Sequence, residues 1–450
     1  MNSGTKELMN SGTKAQLFFI SSFLQFLGSA AWRLAILSLP WQVRWFSDAS
    51  LSGWPWEQGR ASFYVSWFLI LGTILFIKPR KKVLSVHFSG PVIAMLVLVV
   101  VSLVGSGLDE RALGAIAQWW IQIALLILFV ITLWRSNISK RSLAIWFVIS
   151  LIPHAILGVW QFSLQEVAGH PWLGMASQNP FDLGVSVIEL NGQRFLRAYG
   201  GFPHPNIFGG WAAMGFITSI WLAATARIKE RAVIWSLISG ILSIALFLTF
   251  ARSAWLGTVV GILVLLICGY LKKDKIKRFS GYGIIALLVS IIAISLVAIP
   301  QRGLIFSRFD SSQRLETKSL NVRTDSLKSG IEIFRAHPVF GTGPNSELLD
   351  LAVDDRAPAP LETPHNIFVL VLANFGTLGF IVLLYLMAIF LKLVYKSETH
   401  SVRAKLFYEE RALALSVLSG LFVVSLFDHY LWSLWSGQSL VSIILAIILL

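Results

Sequence analysis

Long apolar runs constrain the fold of this chain more than any other feature of its sequence. They recur from near residue 15 to the C-terminus and are separated by short charged segments. About 20 consecutive apolar residues suffice for a helix to cross a bilayer. Of the 450 residues 56% are hydrophobic and 13% charged, a balance that would leave a water-soluble domain with too much exposed apolar surface. We therefore predict an all-α, polytopic membrane protein.

The hydropathy pattern predicts about twelve transmembrane helices. The first run continues past Gly28, so we interpret it as a membrane helix rather than a cleaved signal peptide. Helices 1–5 lie in 1–162, helices 6–9 in 205–300 and helices 10–12 in 366–450, with long loops at 163–204 and 301–365. The predicted spans are 15–37, 60–77, 88–107, 113–134, 142–162, 205–226, 232–251, 254–271, 281–300, 366–391, 412–431 and 437–450.

Clusters of basic residues predict the orientation in the membrane. The chain has a net charge of +14, and its basic residues concentrate in alternate loops, for example Lys78 to Lys82, Arg227 to Arg231 and Lys272 to Arg278. By the positive-inside rule these loops and both termini are cytoplasmic, and the long loops 163–204 and 301–365 are external. This pattern is typical of a cell-membrane protein and does not indicate nucleic-acid binding. The single cysteine, Cys268, excludes a disulfide within the chain.

The second long loop has the pattern of a small helical cap. Leu327, Ile331 and Phe334 recur at helical spacing, which predicts an amphipathic helix over 321–336. A Gly-Thr-Gly-Pro turn follows at 341–344, and a proline-rich stretch then runs extended to Pro364.

Four polar constellations fall on the predicted external face. The first precedes the sixth span and the second joins spans seven and eight, while the third and fourth belong to the cap and to the start of span ten. They are Arg197 to Asn206, Thr249 to Gly257, Asn321 to Gly343 and Thr363 to Gly379.

Arg197 and Arg252 are the candidates for binding an anion. Ionisable residues at membrane depth are costly and mark functional sites, although an arginine at a helix end can simply extend to the headgroups. Arg252 has no acidic neighbour nearby in the sequence, and Arg197 lies beside a second helix start on the same face. Two guanidiniums at one interface suit a diphosphate, because each can donate paired hydrogen bonds to phosphate oxygens.

His365 is the candidate base. It lies at a predicted helix start, with Thr363 as a possible N-cap, and a helix N-terminus favours neutral imidazole. His204 has the same two interpretations, a proton-transfer group or a hydrogen-bonded residue at the membrane surface. Asp428 and His429 at the end of span eleven either orient a catalytic group or anchor the helix.

Some classes of chemistry have no matching motif. The sequence lacks a Walker-type phosphate loop and lacks Cys/His pairs at metal-site spacing. The nearest acidic pair to the arginines, Asp354 and Asp355, lies in a proline-rich linker. We therefore expect a mechanism without a metal or other cofactor.

Together the four segments resemble the O-antigen ligase and polymerase superfamily of bacterial envelope enzymes. Its members share an arginine segment before a Pro-Asn helix start, an Arg-x-x-x-Leu motif, a Gly-x-Gly turn in a large loop, and a histidine helix start followed by glycines. These motifs correspond here to Arg197–Asn206, Arg252–Leu256, His337–Gly343 and His365–Gly379. The resemblance covers about residues 190–430. Many relatives have a glutamate just before the first glycine of the last motif, whereas this chain has Asn374-Phe375-Gly376.

This resemblance implies a fold and an activity. It implies a metal-independent glycosyltransferase of GT-C architecture that transfers a glycan from undecaprenyl diphosphate to an acceptor hydroxyl of a glycan, lipid or protein. Arg197 and Arg252 would stabilise the diphosphate, and His365 would take the acceptor proton. Further candidates for substrate contact are Arg323, Asn206, His204, Asn366, Asp428 and His429.

Several activities remain open at this point. A ligase, a polymerase and a protein oligosaccharyltransferase would share these residues. A transporter or flippase of lipid-linked oligosaccharide is the alternative without catalysis. Such transporters often contain inverted repeats and polar residues near the middle of the membrane. Neither feature is evident here, which favours an enzyme.

Overall fold

The computed structural model describes residues 3–78, 89–270, 277–310, 313–353, 357–396 and 404–450, and it is mostly helical. Each predicted membrane span overlaps one of its helices. The helices are α1 (Ser3–Ser38), α2 (Val65–Phe76), α3 (Ser89–Gly105), α4 (Glu110–Trp134), α5 (Lys140–Leu164), α6 (Pro205–Ala224), α7 (Lys229–Leu248), α8 (Arg252–Tyr270), α9 (Lys277–Ala298), α10 (Arg302–Phe309), α11 (Arg314–Ala336), α12 (Ile367–Lys396), α13 (Ala404–Ser425), α14 (Tyr430–Ser433) and α15 (Trp435–Leu449).

Length and composition identify the helices that can cross a membrane. Within the described residues seven helices qualify, namely α4 to α9 and α12, and three shorter apolar helices are α2, α3 and α15. The protein is therefore a multi-pass helical membrane protein. The count of twelve crossings and the GT-C architecture stay predictions.

Short strands occur in the loops. In the described part of the chain they form three antiparallel pairs, β1 with β4, β2 with β3 and β5 with β6. The strands are β1 (Arg44–Phe46), β2 (Ser50–Leu51), β3 (Trp54–Pro55), β4 (Ser62–Tyr64), β5 (Val187–Leu190) and β6 (Gln193–Leu196). The predicted span 60–77 is thus wrong at its start, because residues 62–64 pair with β1 and the helix begins only at Val65.

Helix α6 is the centre of the bundle. Every one of its residues is buried, and it packs against α5, α7, α8, α9 and α13. A helix that is apolar on all sides requires such an environment. Its N-terminus, which begins at Pro205, is consequently held rigidly beside the loops that precede and follow it.

Helices α8 and α13 approach each other through small residues. A Cβ atom on Gly257 would lie 2.8 Å from the Gly420 carbonyl oxygen, and one on Gly420 would lie 3.0 Å from the Gly257 carbonyl oxygen. Small residues at a crossing allow close backbone packing inside a membrane. This contact fixes the start of α8, and with it Arg252, relative to the end of α13.

The two ends of the bundle differ in character. One end, here called the loop end, gathers residues 39–64, 165–204, 299–310, 313–353, 357–366 and 426–434. These segments contact one another through hydrogen bonds such as Trp54 Nε1 to the Ala357 carbonyl oxygen. The opposite end, here called the basic end, brings Lys140 within 3.5 Å of Glu410 and joins Arg141 to Thr225. The loops predicted to be external thus share one end of the molecule.

The cap differs from its predicted form in two ways. The amphipathic helix predicted over 321–336 starts earlier, at Arg314, and an additional helix, α10, precedes it. Its fully buried residues are Glu316, Ser326, Gly330 and Ile333, whereas the apolar residues that suggested the helix are half-buried. The reason is that Gly330 lets α11 lie directly against Pro364 and Val369 of the adjoining segment.

A break in α12 receives the glycine turn of the cap. Gly376 has φ +60° and ψ −167°, a conformation that interrupts the helix. The freed backbone groups pair with the turn: Thr342 N donates to the Ala373 carbonyl oxygen at 2.9 Å, and Thr377 N donates to the Pro338 carbonyl oxygen at 2.8 Å. The turn and the break therefore form one unit, which positions the first half of α12.

Candidate active site

Arg197 anchors the site at the loop end. It follows β6 and its side chain is only 3% exposed. All three guanidinium nitrogens donate hydrogen bonds, to the Thr249 carbonyl oxygen at 2.6 Å, Ser186 Oγ at 2.7 Å and Asn206 Oδ1 at 2.6 Å. Arg197 thereby ties the loop before α6 to the end of α7.

Asp428 continues this network on the other side of Asn206. Asn206 Nδ2 donates to Asp428 Oδ1 at 3.1 Å, and Ser253 Oγ donates to Asp428 Oδ2 at 2.6 Å. Burial alone would raise the pKa of this carboxyl. The neighbouring His365, the charge of Arg323 and the Ser253 hydroxyl outweigh burial and hold the pKa well below its usual range. Asp428 is therefore a fixed negative charge inside the site.

His365 faces that charge. Its Nδ1 atom lies 3.7 Å from Asp428 Oδ1, and its side chain is 20% exposed. Its ring meets the His429 ring edge to face, with centroids 5.1 Å apart. Contacts of 3.7, 3.1 and 2.6 Å thus link His365 through Asp428 and Asn206 to Arg197.

The start of α12 is capped by Asn366. Its side-chain oxygen accepts from the backbone N–H groups of Phe368 and Val369, and its Nδ2 donates to the Leu426 carbonyl oxygen. The prediction that Thr363 caps this helix is wrong. The Thr363 hydroxyl instead bonds the buried Glu347 carboxylate, because the chain turns between Pro364 and the helix.

His204 and His429 are neutral side chains beside the network. His204 Nδ1 accepts from the Asn206 backbone N–H and caps α6, while His429 Nδ1 shares a hydrogen bond with Ser433 Oγ. Burial, followed by the charge of Arg197, lowers the pKa of His204 to about 3. Burial, followed by the charge of His365, lowers the pKa of His429 to about 3. Asp428 and His429 lie beyond the end of α13, in the connection to α14, and not in a span as predicted.

Arg252 is not an isolated arginine at a helix end. Its Nη1 atom lies 3.1 Å from Glu316 Oε2 and donates to the Arg308 carbonyl oxygen at 3.0 Å. Arg308 in turn forms an ion pair with the other oxygen of Glu316. The acidic partner that is missing near Arg252 in the sequence comes from α11.

Arg323 supplies a further positive charge. It lies on α11 and is partly exposed, and its charge acts on Arg197, Arg252 and Asp428. Burial, followed by the charge of Arg308, lowers the pKa of Arg197. Among the described residues the arginines of the site, Arg197, Arg252, Arg308 and Arg323, thus outnumber the carboxylates Glu316, Asp428 and Glu362, the last of which interacts with His365. The site therefore has excess positive charge and favours an anion.

Arg308, Glu316 and Ser253 were not among the candidates from the sequence. Ser253 follows Arg252 directly at the start of a predicted helix, and this position could have marked it as a candidate. Arg308 and Glu316 belong to the segment 301–365 that the sequence presents as a polar loop, where charged residues are ordinary, and only the fold brings them to Arg252.

Among the residues that the structure describes, no cluster of three or more His, Cys, Asp or Glu side chains could hold a metal ion. The two aspartates of the proline-rich linker, Asp354 and Asp355, lie outside the described residues.

Residues 237–384 match the family model of O-antigen ligase, which confirms the resemblance of this chain to the O-antigen ligase superfamily. The matched region contains Arg252, the cap turn and His365, whereas Arg197, Asn206 and Asp428 lie outside it. No curated protein matches the chain.

Proposed function

We propose that this protein transfers a glycan from an undecaprenyl-diphosphate carrier to an acceptor hydroxyl at the outer face of the cell membrane. The family match supports an enzyme of the O-antigen ligase or polymerase type. The observation that carries the proposal is the position of His365. Its Nδ1 side faces the buried Asp428 carboxylate, and the same network leads to the arginines.

The arginines have the charge that the leaving group needs. When the bond between the sugar C1 and the phosphate oxygen breaks, its electron pair stays on that oxygen, and negative charge develops on the diphosphate. Fixed guanidiniums stabilise such charge without reorganising. Arg252 and Arg323 are partly exposed and can contact the diphosphate directly. The buried Arg197 does not contact the diphosphate directly; it holds Asn206 and adds positive charge to the site from the protein interior.

His365 has the surroundings of a general base. The acceptor oxygen forms a new bond to C1 while its proton moves to the Nε2 atom of His365. The imidazolium that results is stabilised by the Asp428 charge near Nδ1, as in other carboxylate–histidine pairs. His429, which is neutral, adds no positive charge that would compete with the His365 imidazolium for the Asp428 carboxylate.

The proposal places the loop end outside the cell and both termini in the cytoplasm. Lipid-linked glycans would then reach the site from the outer leaflet. The acceptor can be the same glycan in a polymerase, a lipid in a ligase or a protein in an oligosaccharyltransferase.

Transfer in the native host tests the proposal. In a strain that lacks this gene, plasmids should supply wild-type protein, Arg252→Ala, His365→Ala or the control Arg314→Ala. Arg314 pairs with Glu189 at the loop end, and its side chain is 70% exposed. We expect the strains with Arg252→Ala and His365→Ala to lose transfer and to accumulate lipid-linked glycan, while the control strain behaves as wild type. Wild-type transfer by both Arg252→Ala and His365→Ala would contradict the proposal.

A further inference from the structure

Glu316 holds two arginines together at the edge of the candidate site. One carboxylate oxygen, Oε2, lies 3.1 Å from Arg252 Nη1, and the other, Oε1, pairs with Arg308. The side chains of Glu316 and Arg308 are 6% and 8% exposed, whereas that of Arg252 is 25% exposed. A buried carboxylate thus bridges a buried and a partly exposed guanidinium.

This arrangement has the geometry of an anion bound between two arginines. A phosphate group presents paired oxygens to a guanidinium in much the same way as a carboxylate does. Arg308 is also fixed from behind, because its Nε atom donates to the Phe250 carbonyl oxygen at 3.3 Å. Its own carbonyl oxygen accepts from Arg252. The two guanidiniums therefore keep their spacing through contacts that do not involve Glu316.

The two ends of the bridge differ. Glu316 Oε1 has a direct hydrogen bond from Arg308, whereas the buried Oε2 atom has the ion pair with Arg252 but no hydrogen bond of good geometry within the described residues. The Arg252 end of the bridge is also the more exposed one. An incoming anion can therefore exchange with the carboxylate there first.

We infer that Arg308 is a third diphosphate-binding guanidinium and that Glu316 occupies the diphosphate position until the substrate displaces it. This inference rests on the proposed function, since it assumes that a diphosphate is the natural anion. A ligand shifts an equilibrium only by the difference in its affinity for the two states. The Glu316 carboxylate lowers the apparent affinity for diphosphate. It also neutralises the repulsion between the Arg252 and Arg308 guanidiniums when no substrate is bound.

Binding of inorganic pyrophosphate tests this arrangement without a need for the glycan. Purified full-length protein in lipid nanodiscs should be titrated with pyrophosphate by calorimetry. The variants are Arg252→Ala, Glu316→Gln and Arg308→Ala, with Arg314→Ala as the control from the start of α11. We expect Glu316→Gln to bind about tenfold more tightly, because no anion must leave. Arg308→Ala should bind about tenfold or more weakly, and the control should bind as wild type.

A thermal unfolding series separates this role from a merely structural one. Glu316→Gln should unfold at a lower temperature than wild type without ligand, because two cations lose their partner. Saturating pyrophosphate should raise its midpoint by more than it raises that of wild type. A fall in the midpoint that pyrophosphate does not reverse, with no gain in affinity, would show that Glu316 is only structural and would overturn the inference.

The outcomes also separate the inference from the proposed function. Pyrophosphate binding that depends on Arg252 but is unchanged in Arg308→Ala and Glu316→Gln would overturn the inference and leave the proposed function standing. No binding by wild type or by Glu316→Gln would overturn both.

Discussion

At the scale of single residues, the candidate site is centred on a histidine and an aspartate that are far apart in sequence. Asp428 lies in the connection after α13 and His365 at the start of α12, and their side chains approach to 3.7 Å. Both were candidates from the sequence because polar residues next to apolar runs are conspicuous. Their pairing could not be predicted, because no local pattern relates the ends of two helices.

The neutral histidines give the folded protein a pH dependence. Burial lowers the pKa of His204 and His429 to about 3, whereas the pKa of a histidine in the unfolded chain is about 6.5. Between these values the unfolded chain binds protons that the folded protein does not, so stability decreases as the pH falls below about 6.5.

The variant His429→Asn tests this dependence. Asparagine can keep a hydrogen bond to Ser433 but does not titrate. The Tm of wild type in detergent should fall more between pH 7 and pH 5 than that of the variant, with a difference of up to about 1.4 kcal/mol per pH unit in the free energy of unfolding. The other titratable groups beside His429, Asp428 and His365, are present in both proteins. Parallel pH profiles would contradict the assignment.

At the scale of elements, the cap turn and the break in α12 act as one unit. The sequence predicted a turn at Gly341–Gly343 and a helix that runs past Gly376. It did not predict that the turn inserts into the helix, since a single glycine in an apolar run is compatible with an unbroken helix. Gly376, with its positive φ, interrupts the helix, and backbone groups on either side of it bond to the segment that contains the turn. This arrangement determines the angle of the half of α12 that begins beside His365.

Gly376→Ala should therefore disrupt the site from a distance. The backbone has φ +60°, and an added Cβ would lie 2.4 Å from the backbone of Val339. We expect a loss of about 2 kcal/mol or more in stability and a lower yield of folded protein, measured by thermal unfolding of purified protein. Gly114→Ala in α4 is the matched control, because its Cβ would meet nothing within 4 Å. Equal stability of the two variants would show that the break is not required.

The N-terminal part of the chain also contributes to the cap. Ser52 and Trp54 bond the segment around Val353 and Ala357, and Gln58 Nε2 donates to Thr363 Oγ1 at 3.1 Å. The sequence placed only a short connection between the first two spans. The strands there were not predicted because each contains only two or three residues. An alternation of apolar and polar residues cannot be recognised over so short a stretch.

At the scale of the whole molecule, the distribution of charge predicts the orientation. The structure gathers the two long loops at one end, and the bonds of Lys140 and Arg141 hold together the opposite end, where the short basic loops lie. The positive-inside rule places that opposite end in the cytoplasm.

Cysteine labelling checks the orientation. In a Cys268→Ser background, Leu183→Cys should react with a membrane-impermeant maleimide added to intact cells, because Leu183 is 98% exposed at the loop end. Glu230→Cys, exposed at the basic end, should react only after the membrane is permeabilised. Ser346, in the middle of the cap, is buried and unsuitable as a probe. The reverse pattern of labelling would invert the topology and contradict an external site.

Turnover of the lipid-linked donor by purified protein tests the central claim most directly. Nanodiscs with wild-type protein, an undecaprenyl-diphosphate-linked glycan and acceptor-bearing material from the host should release one undecaprenyl diphosphate for each glycan transferred. EDTA should not change the rate, because guanidiniums supply the positive charge. We expect His365→Ala and Arg252→Ala to lower the rate by about 100-fold or more, with Arg314→Ala unchanged. Donor turnover at the wild-type rate in His365→Ala and Arg252→Ala would contradict this account.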